Sequence, residues 1–127
     1  MTNTEPEVER KKNNQYKVQN DTFVVLRSND TKVGRIIDIS MDGLAFHYIG
    51  KENSLDETGE LGIISAENSF YLYNVPCKIL TDCKVYKNHP SPISMRRCDV
   101  QFQKSTKDQR SQLEHFIQNY TNRAAKV

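Results

Sequence analysis

The chain has 127 residues, 36% of them hydrophobic and 27% charged, which suits one soluble domain that buries its own core. Its 18 basic and 16 acidic residues give a net charge of +2, too balanced for a general nucleic-acid binder, so we expect no DNA or RNA partner. No apolar run approaches the roughly 20 residues that span a bilayer, and the first residues lack the apolar core of a signal peptide. We therefore expect a cytoplasmic protein that does not insert into a membrane.

Residues 1–15 are polar and carry a basic cluster, Arg10, Lys11 and Lys12, so we expect a flexible basic tail that becomes ordered near Tyr16. The first predicted strand is 22–27, and the turn-forming residues "SNDTK" follow it. Strands 33–40 and 44–49 flank the sequence "SMDG", whose Asp-Gly pair commonly accepts positive φ in a hairpin.

Three more strands are predicted along the rest of the chain. The first is 60–65, and the second is 70–82, where Pro76 requires an edge position or a bulge. Residues 95–103 form the last, with Cys98, Val100 and Phe102 on one face. These strands bring the total to six.

The period then changes from two to that of a helix. Ser105 is a suitable N-cap, and apolar residues recur at helical spacing through 106–121: Leu113, Phe116, Ile117 and Tyr120. This stripe indicates a contact with the core or, alternatively, a docking surface for another protein. The predicted fold is all-β with a C-terminal helix, a small six-stranded antiparallel β-barrel over 16–121, followed by a disordered tail at 122–127.

The cysteines and histidines indicate no site. An odd number of cysteines, without a C-x-x-C pair or a histidine at zinc spacing, predicts buried or half-buried thiols rather than disulfides or a metal site. No nucleophile lies beside a base in a recognisable pattern, so we expect no metal and no enzyme activity.

One polar pair interrupts the apolar run of the hairpin. Asp38 and Ser40 of "DISMDG" share a face by period-two alternation, and Gly43 follows them. Both side chains are suited to fixing the turn through its backbone groups, with Gly43 at positive φ. They are equally suited to contacting a ligand.

This stretch resembles the D/N-x-S-x-x-G signature of the PilZ domains of bacteria, which are six-stranded barrels and second-messenger receptors for cyclic di-GMP. The flanking "GLAF", the late "RRCDVQF" and the closing helix follow the family's order. The resemblance implies that Asp38 accepts hydrogen bonds from the N1–H and N2–H of guanine, that Ser40 adds a contact, and that Gly43 admits a bulky ligand close to the backbone.

The family's second motif, R-x-x-x-R before the first strand, is absent. Lys11 and Gln15 stand at the two positions in one alignment, and Arg10 with Asn14 in another. Lysine lacks the planar, bidentate geometry of arginine, and glutamine lacks charge, so binding should be weak. The candidate ligand-binding residues are Arg10, Lys11, Lys12, Gln15, Asp38, Ser40 and Gly43.

The resemblance therefore implies a small signalling adaptor that binds cyclic di-GMP and passes the signal to an unidentified protein partner. No other cofactor is expected. The alternative is a degenerate PilZ-like module that binds a protein without the nucleotide. Arg96 and Arg97 lie one residue apart on a strand, so only one of them can face such a site, and solvated strand charges are the simpler interpretation of both.

Overall fold

The computed structural model of the protein describes residues 15–18, 22–51, 58–86, 88 and 90–122. These residues form short and long strands, a single-turn 3-10 helix (Ala66–Asn68) and an α-helix. In chain order the main elements are β1 (Tyr16–Val18), β2 (Phe23–Arg27), β3 (Thr31–Ile39), β4 (Gly43–Gly50), β5 (Thr58–Ser65), β6 (Phe70–Lys84), β7 (Ser94–Phe102), α1 (Lys107–Tyr120) and β8 (Thr121–Asn122).

The strands from β2 to β7 close into a six-stranded antiparallel barrel. Their order is β2-β5-β6-β7-β4-β3, and pairing between β3 and β2 closes the ring. The predicted barrel with a C-terminal helix is thereby confirmed, and the ends of these six strands differ from the predicted ones by no more than two residues. Alternation along each strand explains this agreement, because inward residues such as Val24, Leu26 and Val100 are fully buried.

A short extension lies outside the ring. The strand β1 pairs with the end of β3, and β8 pairs with β1, opposing Lys17 to Asn122 and Val18 to Thr121. The chain thus returns to the sheet after the helix, and the predicted set of six strands and one helix did not include this last strand. A strand of two residues has no periodicity that a sequence pattern could reveal. Residues 1–14 and 123–127, the bulk of the two predicted tails, lie outside the described residues.

The helix α1 covers the end of the barrel at which β6 begins. Leu113, Phe116 and Ile117 are buried, and the Phe116 ring lies 4.8 Å from the Phe70 ring, centroid to centroid. The interpretation of this stripe as a core contact is confirmed for these three residues, while the side chain of Tyr120 lies outside the described set. Within the described part of the chain, no helix has the length and apolar character needed to cross a membrane.

The N-cap of α1 is Thr106 rather than the predicted Ser105. Its hydroxyl accepts a hydrogen bond from the amide of Gln109 at 3.0 Å, while the Gln109 side chain accepts from the Thr106 amide at 2.9 Å. This reciprocal capping box satisfies two amides at the start of the helix. A capping box needs its glutamine three residues after the N-cap. Gln109 is three residues after Thr106 but four after Ser105, so Thr106 is the N-cap.

The predicted irregularity around Pro76 is present. The pairing of β5 with β6 shifts register between Leu61 and Ile63, and Asn74 adopts a left-handed conformation with φ of 58°. Pro76 follows this bulge, and its carbonyl accepts a hydrogen bond from the Gln103 amide at 2.8 Å. A proline is tolerated here because it has no amide hydrogen to leave unpaired.

Candidate functional site

The turn between β3 and β4 is held by Ser40. The Ser40 hydroxyl accepts hydrogen bonds from the amides of Asp42 and Gly43, each at 3.2 Å, and donates to the Gly43 carbonyl at 3.3 Å. Its own amide donates to the same carbonyl at 2.8 Å. Ser40 is fully buried. The side chain therefore fixes the turn, and a ligand contact from Ser40 stays a prediction that requires the hydroxyl to exchange partners.

The structure gives Gly43 a role that the sequence did not predict. None of the described glycines has positive φ, so the prediction of a turn residue in a left-handed conformation is wrong. A Cβ atom at Gly43 would lie 2.1 Å from the carbonyl oxygen of Val100 on β7. The backbone that approaches Gly43 is thus a neighbouring strand, and glycine permits that approach because it has no side chain.

A β-bulge turns Asp38 away from the core. Pairing with β4 shifts register between Ile36 and Asp38, so Ile37 is an extra residue on β3. Strict alternation would point Asp38 in the same direction as Ile36. The bulge reverses the alternation, so Ile36 and Ile39 both belong to the core while Asp38 lies on the opposite, outward side. This accounts for an aspartate within an apolar run.

Arg97 lies between two carboxylates on this outward side. Its Nε and Nη2 donate to the two oxygens of Asp99, each at 3.2 Å, and Nη2 lies 3.7 Å from Oδ2 of Asp38. The side chains of Asp38 and Asp99 are 6% and 5% exposed, whereas that of Arg97 is 31% exposed. Thr81 also donates to Asp99, at 3.0 Å. The guanidinium therefore covers both carboxylates and retains an exposed part of its own.

Two further residues complete this outward surface. Lys17 of β1 is exposed and lies opposite Asp38 in the ladder, and His47 lies opposite Arg97. Burial lowers the pKa of His47 from its ordinary value of 6.5, and the positive charge of Arg97 lowers it further. We refer to this surface as the Asp38 face, and it consists of Lys17, Asp38, His47, Arg97 and Asp99.

The predicted site residues are only partly brought together. Arg10, Lys11 and Lys12 lie outside the described residues. Gln15 is 5% exposed, and its amide nitrogen has no hydrogen-bond partner within the described structure. Continuing the register of β1 and β3 by one residue would place Gln15 opposite Ser40, next to the hairpin.

The interpretation of Arg96 and Arg97 as solvated strand charges is wrong. Arg96 is 4% exposed, points to the interior, and donates from Nε to Asp82 at 2.8 Å. Arg97 faces outward beside Asp38. Alternation correctly predicted that the two point to opposite sides. The acceptor of Arg96 comes from β6 and has no signature in the local sequence, whereas Asp99, the acceptor of Arg97, lies two residues along the same strand.

The thiols take no part in the Asp38 face. Cys77 and Cys98 are buried, as predicted, while Cys83 is exposed, and all three are free. Burial raises the pKa of the Cys77 thiol to about 12 and also raises that of Cys98. Among the residues that the structure describes, no three His, Cys, Asp or Glu side chains form a group that could hold a metal ion.

Comparison with known proteins identifies the family. The sequence pattern of the PilZ domain matches residues 9–119, which is most of the chain. The chain belongs to the PilZ domain family. Its fold is similar to that of the PilZ domain of YcgR from Escherichia coli, described as a PilZ domain with c-di-GMP, with a TM-score of 0.65 and 14% sequence identity over 87% of this chain and 91% of that one. No curated protein matches the chain.

The chemistry of the Asp38 face combines carboxylate acceptors with a partly exposed guanidinium donor. Asp38 offers carboxylate oxygens to N–H donors, and Arg97 offers N–H groups to an anion. Both hydrogen bonds from Arg97 to Asp99 are shorter than its contact with Asp38. Arg97 can therefore remain bound to Asp99 while Asp38 takes another partner. The candidate site residues predicted from the sequence did not include Arg97 and Asp99. Strand alternation could have indicated them, because on β7 they lie on the same face of the sheet as Asp38, with β4 between the two strands.

Proposed function

We propose that this PilZ domain binds cyclic di-GMP at the Asp38 face with low affinity and acts as a small, non-catalytic adaptor in the bacterial cytoplasm. The observation that carries the proposal is the outward position of Asp38 beside a partly exposed arginine. Further support comes from the family match and from the fold likeness to the YcgR domain, a PilZ domain with c-di-GMP.

In this proposal Asp38 recognises a guanine. The N1–H and N2–H donors of the base match the two oxygens of a carboxylate. Arg97 then leaves Asp38, keeps its two hydrogen bonds to Asp99, and turns its exposed edge toward a phosphate. In this exchange Asp38 gives up its 3.7 Å contact with Arg97 and accepts hydrogen bonds of normal length from the guanine.

The charges of the Asp38 face explain why the affinity should be low. The carboxylates of Asp38 and Asp99 are balanced by Arg97 and Lys17, so these four side chains supply no excess positive charge for an anionic dinucleotide. Further cations must come from Arg10, Lys11 and Lys12. Loss of two arginine contacts, each worth roughly 1.5 to 3 kcal/mol, weakens binding by a factor on the order of a hundred to ten thousand.

Calorimetric titration with cyclic di-GMP tests the proposal. The wild-type protein should bind with a dissociation constant in the micromolar range, and Asp38→Ala should weaken binding by at least about tenfold, because a charge-assisted pair is lost. Asp108→Ala is the matched control. Asp108 is an exposed aspartate in the first turn of α1, so its removal changes net charge equally without touching the Asp38 face.

Either of two results would reject guanine recognition by Asp38. The first is the absence of heat at high micromolar ligand. The second is an Asp38→Ala protein that binds as well as the Asp108→Ala control or better, since removing a negative charge favours an anion unless the carboxylate itself contacts the ligand.

A second candidate function is a protein-interaction module that needs no nucleotide. It is favoured by the ion pair between Arg97 and Asp99, because a guanidinium already bonded to a carboxylate attracts a phosphate less strongly. This reading predicts a partner captured equally well with and without cyclic di-GMP. Capture that depends on added cyclic di-GMP argues for the receptor instead.

A further inference from the structure

The end of the barrel opposite α1 contains a cavity. The helix lies at the end where β6 begins, whereas the β2–β3 turn and the end of β4 lie at the other. There the structure has an open cavity of about 350 Å³, lined among others by Lys32, Val33, Tyr48, Ile49, Lys51 and Ile93. Ligand pockets in proteins typically range from about 300 to 1,000 Å³, so the cavity is large enough for a small molecule.

Lys32 is the central charge of this cavity. It is 4% exposed, and its Nζ lies 5.8 Å from the centre of the Tyr48 ring. Within the described residues, no carboxylate lies within ion-pair distance of Lys32. The near-complete burial of a lysine without an acidic partner is uncommon, because the charged group loses hydration that an anion would replace.

The half-buried carboxylate of Asp82, which contacts Tyr48, already has partners. Asp82 accepts hydrogen bonds from Arg96 at 2.8 Å and from the Tyr48 hydroxyl at 2.8 and 2.6 Å to its two oxygens. Burial raises the pKa of Tyr48, and its hydrogen bond to Asp82 raises it further, so the hydroxyl remains a donor. Asp82 is therefore committed to Arg96 and Tyr48, and the acidic residue among those that line the cavity is Asp30, which is exposed on the β2–β3 turn.

An unpartnered polar atom lies nearby. The Ser94 hydroxyl oxygen is buried and has no hydrogen-bond partner within the described structure. Ser94 is 7% exposed and pairs with Gly50, which lines the cavity. A buried hydroxyl is usually hydrogen-bonded, so a missing partner at this place is consistent with a ligand acceptor.

The rim of the cavity is apolar and exposed. Val33, Ile49 and Ile93 are 56%, 68% and 56% exposed, respectively, and all three line the cavity. A cation at depth beneath an apolar rim favours a ligand with the same two parts, an anionic head and a compact apolar body.

We propose that the barrel end is a second ligand site, in which Lys32 binds the carboxylate or phosphate head of a small organic anion and Val33, Ile49 and Ile93 contact its apolar body. This site is separate from the Asp38 face and does not depend on the proposed binding of cyclic di-GMP.

Titration of the ¹⁵N-labelled wild-type protein with phenyl phosphate and with benzoate tests the site, with benzyl alcohol as the neutral analogue. At least one of the two anions should cause saturable shifts of the amides of Val33, Ile49 and Ile93, and which of them binds more tightly identifies the head group. Benzyl alcohol should cause none that saturate. The absence of saturable shifts with both anions at tens of millimolar, or equal binding of the alcohol, would overturn the proposal.

Two substitutions test which lysine supplies the positive charge that binds the anion. Lys32→Met should weaken binding by at least about tenfold, because methionine keeps the apolar stem and removes the charge. Lys51→Met, at the exposed mouth, should weaken it by less than about threefold because water screens its charge. Equal losses in the two variants would show an unspecific electrostatic effect and contradict the site. If Lys32→Met does not fold, ligand-induced shifts of the Lys32 side-chain resonances in the wild-type protein decide the same question.

Discussion

Replacing Gly43 by alanine introduces a methyl group where the β7 backbone already lies. The new Cβ atom would be 2.1 Å from the Val100 carbonyl oxygen and 3.1 Å from Cα of Gln101. Carbon atoms in contact prefer separations of about 3.5 to 4.0 Å, so β4 and β7 must move apart by more than about 1 Å. The obstacle is backbone within a ladder that runs from Gly43↔Gln101 to Gly50↔Ser94, and no side-chain rotation relieves it.

The cost should lie at the upper end of the overpacking range, about 3 kcal/mol, a large part of a typical domain stability of roughly 5 to 15 kcal/mol. With a urea m-value of about 1 to 3 kcal/mol/M, the unfolding midpoint should fall by about 1 to 3 M. Gly62→Ala is the control, because its Cβ would lie 3.4 Å from the Leu72 carbonyl oxygen, an ordinary contact. Its free energy of unfolding should change by less than about 1 kcal/mol.

Urea unfolding of the two variants separates two roles for Gly43. If Gly43→Ala unfolds at the same urea concentration as Gly62→Ala, the close approach of β7 is not what requires glycine. A fully stable Gly43→Ala that has lost only ligand binding would instead support close approach by the nucleotide, as the family resemblance implies.

Four further predictions concern other parts of the molecule. Arg97→Gln should raise the pKa of His47, measured by NMR titration, although burial should keep that pKa below 6.5; an unchanged pKa would place Arg97 elsewhere. Because the unfolded chain binds this proton more readily, the contribution of His47 to stability should be lost as the pH falls from about 6.5 through its folded pKa, and His47→Gln should flatten that part of the stability profile. Thr106→Ala should cost about 1 kcal/mol in urea unfolding by removing the N-cap, and no loss would contradict the capping box. Lys11→Arg should increase affinity for cyclic di-GMP about tenfold at low salt and less at high salt, whereas no change in calorimetry would remove Lys11 from the phosphate contacts.

The barrel and its helix could be predicted because their signals are local. Period-two alternation gave the six barrel strands, and a change to helical spacing gave α1. The contact of Phe116 with Phe70 follows from burying the apolar stripe of a helix on an open barrel end. In contrast, β8 was missed because two residues after a helix carry no pattern.

The candidate site could be predicted only in part, because its decisive contacts are non-local. The motif drew attention to Asp38, but the bulge at Ile37 that turns it outward depends on the register with β4. Arg97 and Asp99 reach Asp38 from β7, about 60 residues along the chain, which places that contact beyond the reach of any local pattern. The structure explains the glycine of the motif by the close approach of the β7 backbone, while an approach of the nucleotide to Gly43 stays a prediction.

NMR titration of the ¹⁵N-labelled protein with cyclic di-GMP tests the central claim most directly, because it reports both binding and location. The proposal predicts saturable shifts at the amides around Asp38, Arg97 and Asp99, with a rise in the pKa of His47 as a phosphate approaches Arg97. Shifts should be absent from the amides of Val33 and Ile93 at the far end of the barrel. An unchanged spectrum at millimolar ligand, or shifts confined to residues outside the Asp38 face, would contradict the claim that this face recognises the dinucleotide.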